Sequence, residues 1–200
     1  KDFMVDEVIE GGQTMNPSAQ VIADAVEKAP SRNVIIFPNN KNIILAAEQA
    51  AKMSDKNVQV VPSKSMPQGI TAALAFNPEM PLQYNLERMT ASLANVKTGQ
   101  ITYAVRDAKT NGLSIKEGDY MGIFDNNIVC HTKKLNDTAA KLLDKMVGED
   151  DGIITIFYGE DLKEKDALAL AKKTEEKFSD CDVEVHNGGQ PVYAYVFSVE

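Results

Sequence analysis

The feature that most constrains the fold of this sequence is a change in hydrophobic periodicity near residues 95–99. Before it, the short apolar runs at 34–37 and 58–61 are separated by a segment whose apolar residues recur at helical spacing. After it, apolar residues alternate with a period of two, as at 101–105 and 120–124. The first pattern predicts parallel strands joined by crossover helices, and the second predicts antiparallel strands.

We therefore expect two subdomains, a parallel-sheet α/β subdomain at residues 1–97 followed by an antiparallel-sheet α+β subdomain at 98–200. The apolar pair Val8 and Ile9 is expected to open the first sheet, with the run at 34–37 beside the run at 58–61. In the second subdomain two last strands, at 183–185 and 192–199 with a turn at 188–189 between them, are expected to close the chain. A chain of 200 residues buries enough apolar surface to fold without disulfides.

The charge of the chain is acidic and lies mostly in its second half. The whole sequence has a formal net charge of -8, and residues 99–200 carry 12 basic against 19 acidic groups, a net charge of -7. Nucleic acid and anionic membranes are repelled by such a field, whereas a basic protein surface is attracted. The apolar runs are too short to cross a bilayer, and the chain does not begin with a secretory signal, so we expect a cytoplasmic protein without membrane insertion.

Three polar loops in the first half follow predicted strands. The carboxyl ends of parallel strands share one edge of a sheet, where such sheets bind ligands, and free N–H groups at helix starts could hold an anion there. The candidate ligand residues are Gly12, Gln13, Thr14, Asn39, Asn40, Lys41, Ser63, Ser65 and Gln68. The same residue types also build turns and helix caps, so a purely structural role stays open.

The sequence lacks the common catalytic signatures. It contains no GxxxxGK[ST] phosphate loop, no GxGxxG, no GxSxG and no HExxH motif. Its two histidines, His131 and His186, fall in or beside predicted strands, and Cys130 and His131 should point to opposite faces of one strand. We therefore predict no catalytic residues, no metal ligands and no cofactor in this chain.

Acidic residues at loops are the best candidates for a protein-docking surface. Most acidic residues near the second half's last helix are interleaved with lysines, which indicates a solvated helix face. The acidic residues without such neighbours flank the predicted strand at 153–158, and these candidates are Glu149, Asp150, Asp151, Glu160 and Asp161. An ordinary solubilising surface is the alternative interpretation.

Several longer strings resemble one family. They are DEVIEGGQTMNPS at 6–18, PNNKN at 38–42, VVP at 60–62 with PQG at 67–69, GGQPVY at 188–193 and SVE at 198–200. Together they resemble the C-terminal domain of the large subunit of bacterial fatty acid kinase, which is related to dihydroxyacetone kinase, over essentially the whole chain.

The resemblance implies a DegV-like fold and a non-catalytic role. In such a kinase the chain would dock the fatty-acid-binding DegV-like subunit, FakB, while ATP and magnesium are held by the N-terminal domain of the full-length protein. The product would be an acyl phosphate. The alternative is a DegV-like domain that itself binds a lipid or small ligand with the three loops. In DegV-like lipid binders a Ser/Thr-rich stretch holds the carboxylate, whereas this sequence has Gly-Gly-Gln-Thr-Met at 11–15.

Overall fold

The computed structural model describes residues 5–11, 16–110 and 112–200. The chain divides into two compact units, Lys1–Val96 and Lys97–Glu200. None of the helices in the described ranges is long and apolar enough to span a membrane.

The first unit alternates helices and strands around a small parallel sheet. Its elements are α1 (Ala19–Lys28), β1 (Asn33–Ile36), α2 (Ile44–Met53), β2 (Asn57–Val60), α3 (Met66–Leu74), α4 (Leu82–Ser92) and a 3-10 turn at Leu93–Asn95. Strands β1 and β2 pair in parallel, with Val34 opposite Val58, and α2 makes the crossover between them. This pairing confirms the expectation of parallel neighbours. Helix α2 supplies the crossover connection that two parallel strands require.

Helices α1 and α2 pack against each other through a cluster in which three of the four buried residues are alanine. Ile22 and Ala23 of α1 lie in one buried cluster with Ala47 and Ala50 of α2, and Ile36 of β1 packs against them. Full burial of a side chain such as Ile22 contributes about 1.5–3 kcal/mol. The strand pair is therefore held by helix contacts as well as by its own hydrogen bonds.

The expected strand at Val8 and Ile9 is wrong, since residues 5–11 form no strand. Ile9 packs against the cluster of α1 and α2, whereas Val8 is exposed. The side chain of Ile9 thus reaches the core without backbone pairing. An apolar pair reports burial of this kind as readily as it reports a strand.

The second unit is a six-stranded sheet with two helices and a small hairpin. Its elements are β3 (Lys97–Tyr103), β4 (Ala108–Thr110), β5 (Leu113–Ile115), β6 (Tyr120–Phe124), β7 (Asn127–Thr132), α5 (Leu135–Met146), β8 (Ile153–Tyr158), α6 (Glu164–Lys177), β9 (Asp182–Asn187) and β10 (Tyr195–Val199). The sheet order is β7-β6-β3-β10-β8-β9, and β4 pairs with β5 in a separate hairpin.

Two details of this sheet differ from the sequence expectation. The sheet is antiparallel except at one edge, where β9 runs parallel to β8 because α6 crosses over between them. The last strand begins at Tyr195 instead of residue 192, because Val192 has a φ of 71° and cannot continue an extended strand. Strand β10 then enters between β3 and β8, so the two last strands are not neighbours.

One face of this sheet forms the core with α5 and α6. Tyr195 and Phe197 of β10 are fully buried there, together with Leu142 of α5 and Leu170 of α6. Gly122 allows α5 to lie close, since a Cβ at that position would stand only 3.3 Å from the Cβ of Leu142 on α5 and 2.6 Å from the sulfur of Cys130 on β7. This packing fixes the two ends of the central strands, where the candidate docking residues lie.

Candidate functional site

The loops after β1 and β2 meet at one edge of the first unit's sheet, as expected for parallel neighbours. The backbone N–H of Asn39 donates to the hydroxyl oxygen of Ser63 over 3.0 Å, and that hydroxyl donates to the Asn39 side-chain oxygen over 2.8 Å. Asn39 has a φ of 55°, which asparagine tolerates better than most residues. These two predicted ligand residues therefore hold the two loops to each other.

Ser65 and Gln68 are also engaged within the first unit. The Ser65 hydroxyl caps helix α3 by accepting from the N–H of Gln68. The Gln68 side chain accepts from the N–H of Lys64 over 2.8 Å and donates to the carbonyl of Leu93 over 3.1 Å. Both polar ends of this side chain thus connect the loop to neighbouring backbone, as capping and turn residues do.

The remaining loop candidates are less constrained or lie outside the described residues. The Asn40 side-chain oxygen accepts from the N–H of Asn42 over 2.9 Å, which stabilises the turn before α2. Lys41 is exposed beside it. Gly12, Gln13 and Thr14 lie outside the described residues. A ligand site at this edge stays a prediction.

The acidic candidates occupy the two opposite ends of β8. Glu149 and Asp150 are exposed before the strand, and Glu160 and Asp161 are exposed after it. Six residues at about 3.3 Å each separate the ends by about 20 Å. The candidates therefore form two surfaces instead of one.

Asp151 differs from its neighbours, and its assignment to the exposed acidic surface is wrong. Its carboxylate accepts from the ammonium group of Lys97 over 2.6 Å and from the N–H of Gly148 over 2.6 Å, and its side chain is only 8% exposed. Asp151 lies in the loop between α5 and β8. Its carboxylate bonds the backbone of that loop and joins the loop to Lys97 of β3. Asp151 therefore stabilises the fold.

The tertiary structure adds acidic residues to the first of these surfaces. Strand β9 starts beside β8, with Asp182 opposite Ile153 and its N–H donating to the carbonyl of Gly152. This pairing brings exposed Asp180 and Asp182 to the end of the sheet that carries Glu149 and Asp150. We call these four residues, Glu149, Asp150, Asp180 and Asp182, the acidic edge.

The thiol of Cys181 lies within the acidic edge. It lies between Asp180 and Asp182, and its sulfur is 3.2 Å from the carbonyl oxygen of Asp151. Burial, followed by the negative charges of Asp151, Asp180 and Asp182, raises the pKa of this thiol. The exposed carboxylates around this thiol favour cations and basic side chains.

The two histidines are used separately. His131 lies 3.0 Å from the Asp119 carboxylate, which also accepts from the N–H of Lys116. His186 lies 3.2 Å from the Glu184 carboxylate. They stand on β7 and β9, the opposite edges of the sheet, so five strand spacings of about 4.8 Å place them about 24 Å apart.

Among the described residues, no group of three or more His, Cys, Asp or Glu side chains is arranged to hold a metal ion. The geometry therefore shows a mixed α/β protein, with one small parallel sheet and one mostly antiparallel sheet, that exposes charge at the ends of its strands.

The family model for the C-terminal region of FakA-like fatty acid kinase subunits matches residues 1–200, and the chain belongs to this family. It is 47% identical over 193 residues to the protein YloV of Bacillus subtilis. This alignment covers 96% of the present chain and 35% of YloV. It is 42% identical over 200 residues to an uncharacterized protein of Staphylococcus aureus, covering all of this chain and 36% of that protein. The chain thus spans about a third of the length of these relatives.

Solved structures with the same fold include a protein loaded with a fatty acid, a DegV family protein and a kinase. The Fak B3 protein of Streptococcus pneumoniae, loaded with linoleic acid, aligns with a TM-score of 0.66 at 16% identity, over 92% of this chain and 76% of that one. A DegV family protein of Corynebacterium glutamicum aligns with a TM-score of 0.63 at 17% identity, over 96% of this chain and 85% of that one. The dihydroxyacetone kinase of C. freundii aligns with a TM-score of 0.59 at 12% identity, over 92% of this chain and 41% of that one. These likenesses confirm the DegV-like fold.

Proposed function

We propose that this chain is the non-catalytic docking domain of a fatty acid kinase. It holds the fatty-acid-binding DegV-like subunit, FakB, so that kinase domains elsewhere in the full-length protein phosphorylate the fatty acid to acyl phosphate. ATP and magnesium are bound by the N-terminal domain of that protein, and the reaction takes place in the cytoplasm. Membership of the fatty acid kinase family supports this role.

The observation that carries the proposal is the acidic edge. Four exposed carboxylates from two separate segments, Glu149 and Asp150 with Asp180 and Asp182, stand at one end of the sheet. Lys97, a cation at the start of β3, is already paired with Asp151. Such a surface attracts a basic protein surface, speeds its approach and orients it, and it repels acidic partners.

The experiment is a binding titration between the chain and the DegV-family fatty-acid-binding proteins of the same organism. The double variant Glu149→Lys, Asp150→Lys should weaken binding at least fivefold, because two repulsive charges replace two attractive ones. Its matched control is Glu175→Lys, Glu176→Lys, which makes the same charge change on the exposed face of α6.

Equal loss of affinity in both double variants would show that only net charge matters and that the acidic edge is not the footprint. The pair Glu160→Lys, Asp161→Lys tests the other end of β8 in the same titration. Failure of the parent chain to bind any of these proteins would remove the docking function.

The alternative function, direct lipid binding by the loops after β1 and β2, is supported by the fatty acid bound to the Fak B3 protein of the same fold. In this chain Asn39, Ser63 and Gln68 already use their polar groups on one another and on backbone. A titration with labelled linoleic acid separates the two functions. Saturable binding by the chain alone would favour the lipid-binding domain.

A further inference from the structure

The loop between β9 and β10, residues 188–194, is tightly fixed against the end of β8. The Gln190 side chain donates to the carbonyl of Phe157 over 3.0 Å, and the Gln190 backbone carbonyl accepts from the N–H of Glu160 over 3.2 Å. The N–H of Gly159 donates to the carbonyl of Ala194 over 2.9 Å. A Cβ on Gly159 would overlap the carbonyl oxygens of Gln190 and Tyr193. The loop therefore has one conformation that the sheet end imposes.

Val192 is strained in this loop. It has a φ of 71°, and the N–H of Tyr193 donates to the carbonyl of Pro191 over 2.7 Å, which makes Val192 the centre of a γ-turn of the rare, strained type. A β-branched residue in this region is an outlier that glycine or asparagine would relieve. The Thr102 hydroxyl donates to the carbonyl of Val192 over 2.9 Å and helps to keep the turn in place.

The strain leaves an apolar side chain facing solvent. Val192 is 53% exposed, so its isopropyl group contributes little to the core. Backbone strain of this kind persists only where the surroundings impose it, and it is concentrated at functional positions. A valine that costs stability without filling the core indicates a use outside the fold.

Two further apolar side chains lie at the same end of the sheet. Tyr103 ends β3, which pairs with β10, and Val105 follows it; they are 55% and 75% exposed. On the other side of β10, after β8, stand exposed Glu160 and Asp161. We call this set, Tyr103, Val105, Val192, Glu160 and Asp161, the loop-end surface.

We propose that the loop-end surface is a preformed contact for the fatty-acid-binding DegV-like protein, an inference that rests on the proposed docking function. The partner presents an apolar patch to Val192, Val105 and Tyr103, and a basic side chain to Glu160 and Asp161. An aromatic side chain such as Tyr103 supplies much of the binding energy at the centre of such a contact, neighbouring apolar side chains exclude water from it, and charges at the rim fix orientation. Because the loop is already ordered, binding loses little conformational entropy.

The test uses the double variant Val105→Ser, Val192→Asn in a titration with the DegV-family fatty-acid-binding proteins of the same organism. Asparagine accepts a positive φ, so the variant should melt at the same temperature as the parent or higher. Its affinity for the partner should fall at least tenfold, mainly through faster dissociation. The matched control is Leu168→Ala, which removes an equally exposed apolar side chain from α6 and should bind within twofold of the parent.

Three outcomes decide the matter. Weaker binding of the double variant with unchanged melting, and an unaffected control, supports the contact. Parent-like affinity of a folded double variant overturns the loop-end surface but leaves the docking function standing, with the acidic edge as its footprint. If the parent chain itself binds none of these proteins, the docking function and this contact both fail.

Discussion

The polar loops of the first unit and the acidic strand ends of the second unit show how differently similar-looking residues are used. Asn39 and Ser63 bond to each other across two loops, and their polar atoms hold the backbone together. Glu149 and Asp150 are exposed at a strand end. The difference teaches that polar residues at a sheet edge indicate a binding surface only when the surrounding backbone does not already require them.

Asp151 is the strongest test of this comparison. In the sequence it follows the exposed residues Glu149 and Asp150, but its hydrogen bonds hold the backbone together, as those of Asn39 and Ser63 do. Asp151→Lys should lower the free energy of unfolding by roughly 2–4 kcal/mol, since the N–H of Gly148 loses its acceptor and Lys97, which still donates to the carbonyl of Met146, faces a second cation in place of its carboxylate partner. Chemical denaturation measures the loss. Asp150→Lys is the control and should change stability by less than about 0.5 kcal/mol. Equal midpoints for the two variants would contradict the distinction.

Ser63→Ala examines the internal group directly. Ser63 is fully buried, and the change removes both of its hydrogen bonds with Asn39, so we expect a loss of about 1–2 kcal/mol in the free energy of unfolding. Affinity for the fatty-acid-binding partner should stay within twofold of the parent. The exposed Ser114→Ala is the control for stability. A variant of unchanged stability that loses ligand binding would instead support a ligand site at these loops.

Salt sharpens the other side of the comparison. Raising salt from 0.1 M to 1 M shortens the screening length from about 10 Å to about 3 Å, so partner association at the acidic edge should slow severalfold. Thermal melting of the chain should move little over the same range. Stopped-flow association kinetics measure the effect. A salt-independent association rate would assign recognition to apolar contacts alone.

Substitution of Asp119 should have the smallest effect of these changes, and its effect on stability should depend on pH. The N–H of Lys116, and then His131, lower the pKa of this carboxyl below its usual value. Its contribution to stability is therefore complete above the unfolded pKa of about 3.9 and is lost as pH falls through the lower folded pKa. Asp119→Asn should make acid unfolding less steep in that window, with little change in partner binding. An acid-unfolding curve identical to that of the parent would show that this carboxyl is not responsible.

The sequence predicted the local elements of this protein well and their long-range arrangement less well. The runs at 34–37 and 58–61 mark parallel strands within one residue of their observed bounds, since periodicity and crossover length are local properties. Several longer strings also indicated the family, which the match over residues 1–200 shows. The short apolar pair Val8 and Ile9 misled because burial and strand pairing give the same local signal.

Only the tertiary structure decided which charged residues lie together at the surface and which are paired within the fold. Asp180 and Asp182 join Glu149 and Asp150 because β9 pairs in parallel with β8, a contact between segments about thirty residues apart that no local pattern specifies. The pairing of Asp151 with Lys97 and the positive φ of Val192 likewise depend on neighbours distant in the chain. Local sequence determines what an element is. Its partners are chosen by the free energy of the whole packed sheet.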